Sequence, residues 1–150
     1  SHSSFVGGSY SYVCPFSATA AATDASAVGK ILTYNSSGKV AAADATTSTD
    51  LYHVVGVASG ATTADAVLRI GGLPGMMASV KKTTDAGSAA TAGKPVYLAH
   101  GAANNGLVSG AAPTTSGESV IRIGFAVESA ADGATSLNVI WMPQFLYSVA

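Results

Sequence analysis

The chain has 150 residues, only 10% of them are charged, and the formal net charge is −1. An average soluble domain is roughly 25% charged, and a surface so poor in charge gives little protection against association. This composition argues against a free monomeric enzyme and favours a protein built to sit among copies of itself or among partners. The seven Lys and Arg residues are scattered and form no basic stripe, so we expect no nucleic-acid partner.

Residues 1–26 are rich in Ser, Gly and Ala, and we expect them to form an extended N-terminal arm. The single cysteine, Cys14, excludes an internal disulfide and a cysteine-rich zinc site. The arm lacks a basic region followed by a long apolar run, and no stretch approaches the ~18 apolar residues that span a bilayer. We therefore expect no secretory signal and no membrane partner. The aromatic residues of the arm are candidate contact residues: Phe5, Tyr10, Tyr12 and Phe16.

Residues 27–142 have the pattern of a β domain. Short β-branched runs alternate with turns that contain Gly, Asn and Asp, which predicts an all-β fold, either a small barrel or a sandwich. Pro95 fits the first residue of a strand, where no ladder N–H is needed. Asn35 begins a glycosylation sequon, which we interpret as the polar tip of a hairpin. The predicted strands cover residues 30–34, 40–44, 52–59, 66–72, 93–100, 107–110, 119–129 and 136–142.

Two halves of this domain resemble each other, which predicts an internal duplication over residues 27–72 and 91–142. The phrase "AVGKILTY" aligns with "TAGKPVYL", Gly56 aligns with Gly124, and Val67 aligns with Leu137. The alternative is that any β protein reuses similar turn and strand phrases. Glycine inside a strand is tolerated where the strand bulges or another backbone approaches closely, so Gly56 and Gly124 predict equivalent corners.

The polar residues and glycines of the turns indicate local structural roles rather than a ligand site. One aspartate lies in each of four turns, where Asp normally makes local backbone hydrogen bonds. The adjacent Lys81 and Lys82 are interpreted as a solvated loop or strand edge, and the glycines of residues 71–75 as a β-turn between the halves. The four turn aspartates are Asp44, Asp65, Asp85 and Asp132.

No catalytic motif is present in the sequence. His53 and Asp50 are close enough to form an acid–imidazole pair, but no GxSxG nucleophile elbow accompanies them, and we interpret His53 as a half-buried strand residue. His100 precedes a glycine-rich loop and is expected to be exposed. No histidine or carboxylate spacing predicts a metal site or a cofactor. We therefore expect a protein that is not an enzyme, with no catalytic, cofactor-binding or metal-binding residues.

The C-terminus is the most hydrophobic segment of the chain. Trp141 lies where a strand is expected, and we expect the chain to leave that strand after Pro143. Residues 143–150 would then form a C-terminal tail that packs back on the domain or onto a partner. Aromatic and large apolar residues anchor interfaces. The candidate contact residues of this tail are Phe145, Leu146 and Tyr147.

The order of these turn and strand phrases resembles the small β proteins of tailed-bacteriophage virions, especially head decoration (cement) proteins and related capsid-fibre proteins. The resemblance covers about residues 27–140, and the segment that carries it best is "GKPVYLAHGAANNGLVSGAAPTTSGESVIRIGFAVES". It implies a structural virion protein that is made in the host cytoplasm and binds the outer capsid surface. The implied partners are the major capsid protein and copies of the chain itself, as a dimer or trimer.

Three alternatives from other classes stay open. A phage tail or fibre component with a host- or glycan-binding role would expose clustered aromatic residues on one loop face. A major tail-tube subunit would need a long hairpin, and no long alternating hairpin is evident in the sequence. A hydrolase would need Asp50, His53 and a serine within hydrogen-bonding distance.

Overall fold

The computed structural model describes residues 17–19, 28–46, 54–60 and 63–150. Within these ranges the chain forms antiparallel strands and one short 3-10 helix, Ala102–Asn104, so the predicted all-β class is confirmed. The strands are β1 (Ser17–Thr19), β2 (Ile31–Tyr34), β3 (Val40–Ala42), β4 (Val54–Ala58), β5 (Val67–Gly71), β6 (Met77–Lys81), β7 (Pro95–Leu98), β8 (Val108–Ser109), β9 (Ser119–Ala126) and β10 (Ser136–Ser148).

The ten strands form two five-stranded sheets with the same topology. The first sheet has the order β1-β5-β4-β2-β3, and the second has the order β6-β10-β9-β7-β8. Strands β1 to β5 therefore correspond in position to strands β6 to β10. These matched sets begin earlier than the expected repeat bounds because β1 and β6, which the sequence pattern does not predict, are the first strand of each set. That the two sets arose by duplication stays a prediction.

The second sheet curves so far that its two edge strands meet. A parallel bridge joins Lys82, just after β6, to Val108 in β8, and the Thr83 N–H donates to the Val108 carbonyl at 3.0 Å. Closure of a sheet removes its exposed edges and encloses one face as a core. The second sheet is therefore a small barrel-like unit.

The main hydrophobic core fills this curved sheet and continues into the first sheet. It combines inward-facing residues of the second sheet, such as Val96, Ile123 and Trp141, with Ile31 and Val57 of the first sheet. A smaller cluster lies on the other face of the first sheet. Its buried members are Leu32, Val40, Ala58 and Ile70.

The smaller cluster occupies the same ladder positions as part of the main core. Leu32 lies opposite Gly56 in the first sheet, as Val96 lies opposite Gly124 in the second. The residues of the main core that match the smaller cluster in this way are Val96, Val108, Ala126 and Val139. The two sheets thus bury equivalent faces.

One expected alignment between the halves is wrong by a single residue. Ile70 lies opposite Ala58, and Val139 lies opposite Ala126, so β5 and β10 are related by 69 positions (139 − 70) rather than by 70. A one-residue slip would exchange the two faces of a strand. The observed register places exposed Val67 over exposed Ser136, whereas Leu137 is buried.

Gly56 and Gly124 lie at equivalent bulges, as the sequence predicts. In each sheet the ladder skips one residue directly beside the glycine, Val55 in β4 and Ile123 in β9. A Cβ atom on Gly124 would overlap the Ile140 carbonyl oxygen, and one on Gly56 would overlap the carbonyl oxygen of Gly71. Only glycine permits this approach of neighbouring backbones.

Two turns also agree with the sequence analysis. Asn35 lies at the hairpin between β2 and β3, where its Oδ1 atom accepts the N–H groups of Ser37 at 3.0 Å and Lys39 at 3.1 Å. Residues 72–76 form the turn between β5 and β6, in which the Met76 N–H donates to the Leu73 carbonyl at 3.0 Å.

Direct backbone hydrogen bonds join the two sheets. The Lys81 N–H donates to the Gly29 carbonyl at 2.8 Å, and the Gly106 N–H donates to the Ala43 carbonyl at 2.7 Å. The Ser119 N–H donates to Ala45 at 2.9 Å. Together with the shared core, these bonds join the second sheet to the first.

Candidate functional site

The candidate contact residues of the C-terminus lie on the last part of β10. The expectation that the chain leaves the strand after Pro143 is wrong, because β10 continues to Ser148 and stays paired with β9. Phe145 is partly buried against the main core, opposite Ile121. The four candidates of the N-terminal arm, Phe5, Tyr10, Tyr12 and Phe16, lie outside the described residues.

Bulges allow β10 to accommodate Pro143. The ladder shifts between Trp141 and Gln144, so Pro143 needs no backbone donor at that point. A second shift lies between Phe145 and Tyr147. Each bulge re-aims the side chains that follow it. As a result Leu146 is 39% exposed and Tyr147 is 53% exposed, although both belong to a paired strand.

The outer face of the second sheet carries a row of apolar side chains. Pro95 lies opposite Phe125, Phe125 opposite Ile140, and Ile140 opposite Met77, in four adjacent strands. The Arg122 guanidinium lies 4.9 Å from the centre of the Phe125 ring, a favourable cation–π arrangement. Met77 is exposed and the other three apolar residues are partly exposed. The row therefore offers apolar contact area next to a cation.

A polar cleft of about 280 Å³ lies at another place on the second unit. It is formed by the loop after β6, the end of β7 and the loop after β8. Alanine, glycine and proline make up the rest of its lining. The ionisable and hydroxyl residues that line the cleft are Thr83, Asp85, Ser88, His100, Ser109, Thr114 and Thr115.

Lys82 lies buried behind this cleft, and its interpretation as a solvated residue is wrong. It is 2% exposed. Its Nζ atom donates to the Thr83 carbonyl at 2.9 Å, the Ser88 hydroxyl at 2.9 Å and the Asp132 carbonyl at 3.1 Å. These three acceptors match the three protons of an ammonium group. Burial lowers the pKa of Lys82, although the carboxylates of Asp132 and Asp85 act in the opposite direction.

The Asp132 carboxylate also holds the loop that follows β6, through backbone hydrogen bonds. It accepts the N–H of Gly87 at 3.0 Å and that of Ala89 at 2.7 Å. These hydrogen bonds lower the pKa of the Asp132 carboxyl, the bond from Gly87 contributing most. The expectation of a purely local role is therefore wrong for Asp132, whereas it is confirmed for Asp44, which accepts the Thr46 N–H at 2.9 Å.

The hydrogen bond between Lys82 and Ser88 has a structural role and does not activate the serine. Ser88 donates its own proton to the Thr83 carbonyl at 3.1 Å, and Lys82 acts as a donor toward Ser88. A lysine that activates a serine must instead accept the serine proton. The geometry of the pair therefore holds the loop at the floor of the cleft.

His100 forms one wall of the cleft and is exposed, as the sequence predicts. Its Nδ1 atom contacts Glu118 Oε1, and Glu118 Oε2 accepts the Gly101 N–H at 2.9 Å. The Glu118 side chain is only 4% exposed. A buried carboxylate that holds one ring nitrogen fixes the orientation of the imidazole. The sequence gives no hint of this pair, because the two residues lie 18 positions apart.

Asp85 is held at the mouth of the cleft by a second polar chain. Asn104 Nδ2 donates to Asp85 Oδ2 at 2.6 Å, and Thr83 Oγ1 donates to Asn104 Oδ1 at 3.1 Å. The cleft thus combines a positioned carboxylate with a positioned imidazole. Asp50 and His53, the acid–imidazole pair considered from the sequence, lie outside the described residues.

The sequence matches neither a protein-family model nor a curated protein. In the part of the chain that the structure describes, no group of three or more His, Cys, Asp or Glu residues could hold a metal ion. No helix among the described residues is long and apolar enough to cross a membrane.

Proposed function

We propose that this chain is a structural virion protein that decorates and stabilises the outer surface of a phage capsid. The resemblance of residues 27–140 to head decoration proteins supports this proposal, and an all-β fold agrees with what that resemblance implies. The observation that carries the proposal is the exposed end of β10. There Leu146 and Tyr147 are exposed to solvent on a strand that is paired with β9.

A rigid strand is a good support for a binding surface. Phe145, which precedes the two exposed residues in β10, packs against the main core. Because this contact and the pairing with β9 already hold the end of the strand in place, binding of a partner would not have to order a flexible tail. Ordering a flexible segment would reduce the affinity. Aromatic and large apolar residues at such positions supply much of the binding energy of protein interfaces.

Many weak contacts would suffice for the stabilising role. Each copy would bridge neighbouring capsid subunits, and binding only to the assembled shell would shift the equilibrium away from the disassembled state. Oligomers of this chain would bind several positions at once, so their avidity would exceed the affinity of a single contact. The low charged fraction of 10% is compatible with such packing among partners.

Co-sedimentation with capsids that lack this protein tests the proposal. We expect the wild-type chain to pellet with the capsids, and the double variant Leu146→Ser, Tyr147→Ser to pellet far less. Val67→Ser is the matched control, because Val67 is also exposed but lies on the first sheet. Circular dichroism checks that all three proteins are folded.

One result would overturn the proposal, and another would overturn the assignment of the contact surface. A wild-type chain that stays in the supernatant with capsids but binds purified tails would replace capsid decoration with a tail or fibre function. Equal pelleting of the double variant and the wild type would remove the end of β10 from the contact.

A further inference from the structure

We propose that the polar cleft binds the guanidinium group of an arginine side chain from a partner protein. The inference rests on the proposed function only in taking that partner to be a protein with which this chain assembles. The cleft lies on the loops of the second unit and is lined by other residues than the exposed end of β10. It would therefore be a separate contact, with its own chemistry.

The charges around the cleft disfavour an anionic ligand. Lys82 is the buried cation among the described residues, but all three of its ammonium protons are used by the Thr83 carbonyl, the Ser88 hydroxyl and the Asp132 carbonyl. No proton of Lys82 remains for a ligand. The carboxylates of Asp85 and Glu118 would repel an anion.

The two ionisable groups on the cleft wall both offer hydrogen-bond acceptors. Asp85 Oδ2 accepts a hydrogen bond from Asn104, whereas Asp85 Oδ1 has no hydrogen-bond partner among the described residues. His100 uses Nδ1 on Glu118, and its Nε2 atom likewise has no partner there. When Nδ1–H donates to the carboxylate, Nε2 of the neutral imidazole is an acceptor. A ligand that donates hydrogen bonds therefore suits the cleft better than one that only accepts them.

Guanidinium fits these acceptors better than other common groups. It is planar, permanently charged and carries five N–H donors in a fixed fork, with no acceptor to leave unsatisfied. The hydroxyl groups of Thr114 and Thr115 also line the cleft and can accept further protons. The volume of about 280 Å³ lies just below the range of about 300–1,000 Å³ for small-ligand pockets, which suits a single side chain.

The cleft is built before any ligand arrives. Glu118 is 4% exposed and fixes His100, while Lys82 and Asp132 hold the loop that carries Asp85. A site whose polar groups are already positioned loses less entropy on binding. The buried polar network therefore has a functional consequence besides its contribution to stability.

NMR titration of the isolated chain tests the inference. The probe is N-acetyl-arginine amide, and the neutral comparison is N-acetyl-norleucine amide. We expect saturable shifts of the His100 ring and of the Gly87 and Thr115 amides with the arginine probe only, with a Kd of about 1–10 mM. Asp85→Asn should weaken binding about threefold or more. Asp65→Asn removes the same charge from an exposed turn of the first unit and should leave the Kd unchanged.

Three outcomes would overturn the inference: equal shifts with the norleucine probe, an unchanged Kd in Asp85→Asn, or saturable binding of a neutral methyl glycoside in place of arginine. The comparison of the two probes on the wild-type chain is decisive even if Asp85→Asn folds poorly. Because this titration contains no capsid, its failure is distinguishable from failure of the proposed function. Capsid binding without arginine binding would refute the cleft alone.

Discussion

The sharpest test of the fold is the substitution Gly124→Ala. A Cβ atom at this position would overlap the carbonyl oxygen of Ile140 and would lie 3.0 Å from its carbonyl carbon and 3.3 Å from the Met142 nitrogen. Carbon atoms in good contact are separated by about 3.5–4.0 Å. All three neighbouring atoms belong to the backbone of β10, so no side-chain rotation can relieve the clash. The β9–β10 ladder itself must move.

We expect a net loss of about 2 kcal/mol in the free energy of unfolding. Overpacking of a well-packed region costs about 1–3 kcal/mol, and a backbone clash belongs at the upper end of that range. Replacing a strand glycine by alanine returns about 0.5–1 kcal/mol, because glycine loses more conformational entropy on folding. For a chain of this size the net change corresponds to a fall in Tm of about 4–8 °C.

Urea and thermal unfolding measure this change. Trp141 is the only tryptophan, is buried and lies directly opposite Gly124, so its fluorescence reports on the affected ladder. Circular dichroism at the same urea concentrations checks that the transition is global. Gly133→Ala is the matched control, since no atom lies within 4 Å of its added Cβ. If Gly124→Ala is as stable as Gly133→Ala, the close approach of the two backbones is refuted.

Three further predictions concern other parts of the structure. Gly56→Ala should lower the free energy of unfolding by a similar amount, about 2 kcal/mol, because its Cβ would overlap β5; an unchanged Tm would contradict the equivalence of the two bulges. Asp132→Asn should lower the Tm at neutral pH, whereas Asp65→Asn, which removes only an exposed ion pair with Lys39, should lower it much less. Because hydrogen bonds lower the Asp132 pKa in the folded state, its stabilisation is present above the ordinary value of 3.8 and disappears as the pH falls through the folded-state pKa; a wild-type advantage that persists at the acid end would contradict this. Lys82 has a folded-state pKa below 10.5, so the unfolded chain binds its proton more tightly, and wild type should gain stability over Lys82→Met as the pH rises toward 10.5. Urea unfolding between pH 8 and pH 10.5 measures that gain, and a constant difference would refute it.

The fold class was predictable from the sequence, because it depends on residues with strong local structural preferences. Pro95 begins β7, and Gly56 and Gly124 lie beside bulges, because a missing donor and a missing side chain restrict a residue to few positions in a sheet. Asn35 lies in a tight hairpin for the same kind of reason. The conformation at such residues can be predicted without knowing which residues they contact elsewhere in the chain.

The polar network was not predictable from the sequence, because its partners are distant along the chain. Lys82 is followed by residues typical of a loop, and its acceptor on Asp132 lies 50 positions away. His100 and Glu118 come together only because β7 and β9 are neighbours in the sheet. A single sequence contains no signal for these contacts.

Strand ends and registers also depend on the neighbouring strand. A proline normally ends or interrupts a strand, but β10 stays paired with β9 beyond Pro143 because the ladder is bulged at that point. The sequence of β6, "MASVK", has little β propensity, and its pairing with β10 determines its conformation. The one-residue error in the alignment of β5 with β10 has the same origin, since the ladder rather than the local pattern sets the register.

The proposed stabilisation of a capsid through its outer surface is tested most directly by the heat stability of capsids assembled without this protein, measured by calorimetry before and after saturation with the purified chain. We expect the chain to bind in a fixed ratio to capsid subunits and to raise the temperature at which the shell disrupts. Capsids that disrupt at the same temperature with and without the chain would contradict the claim.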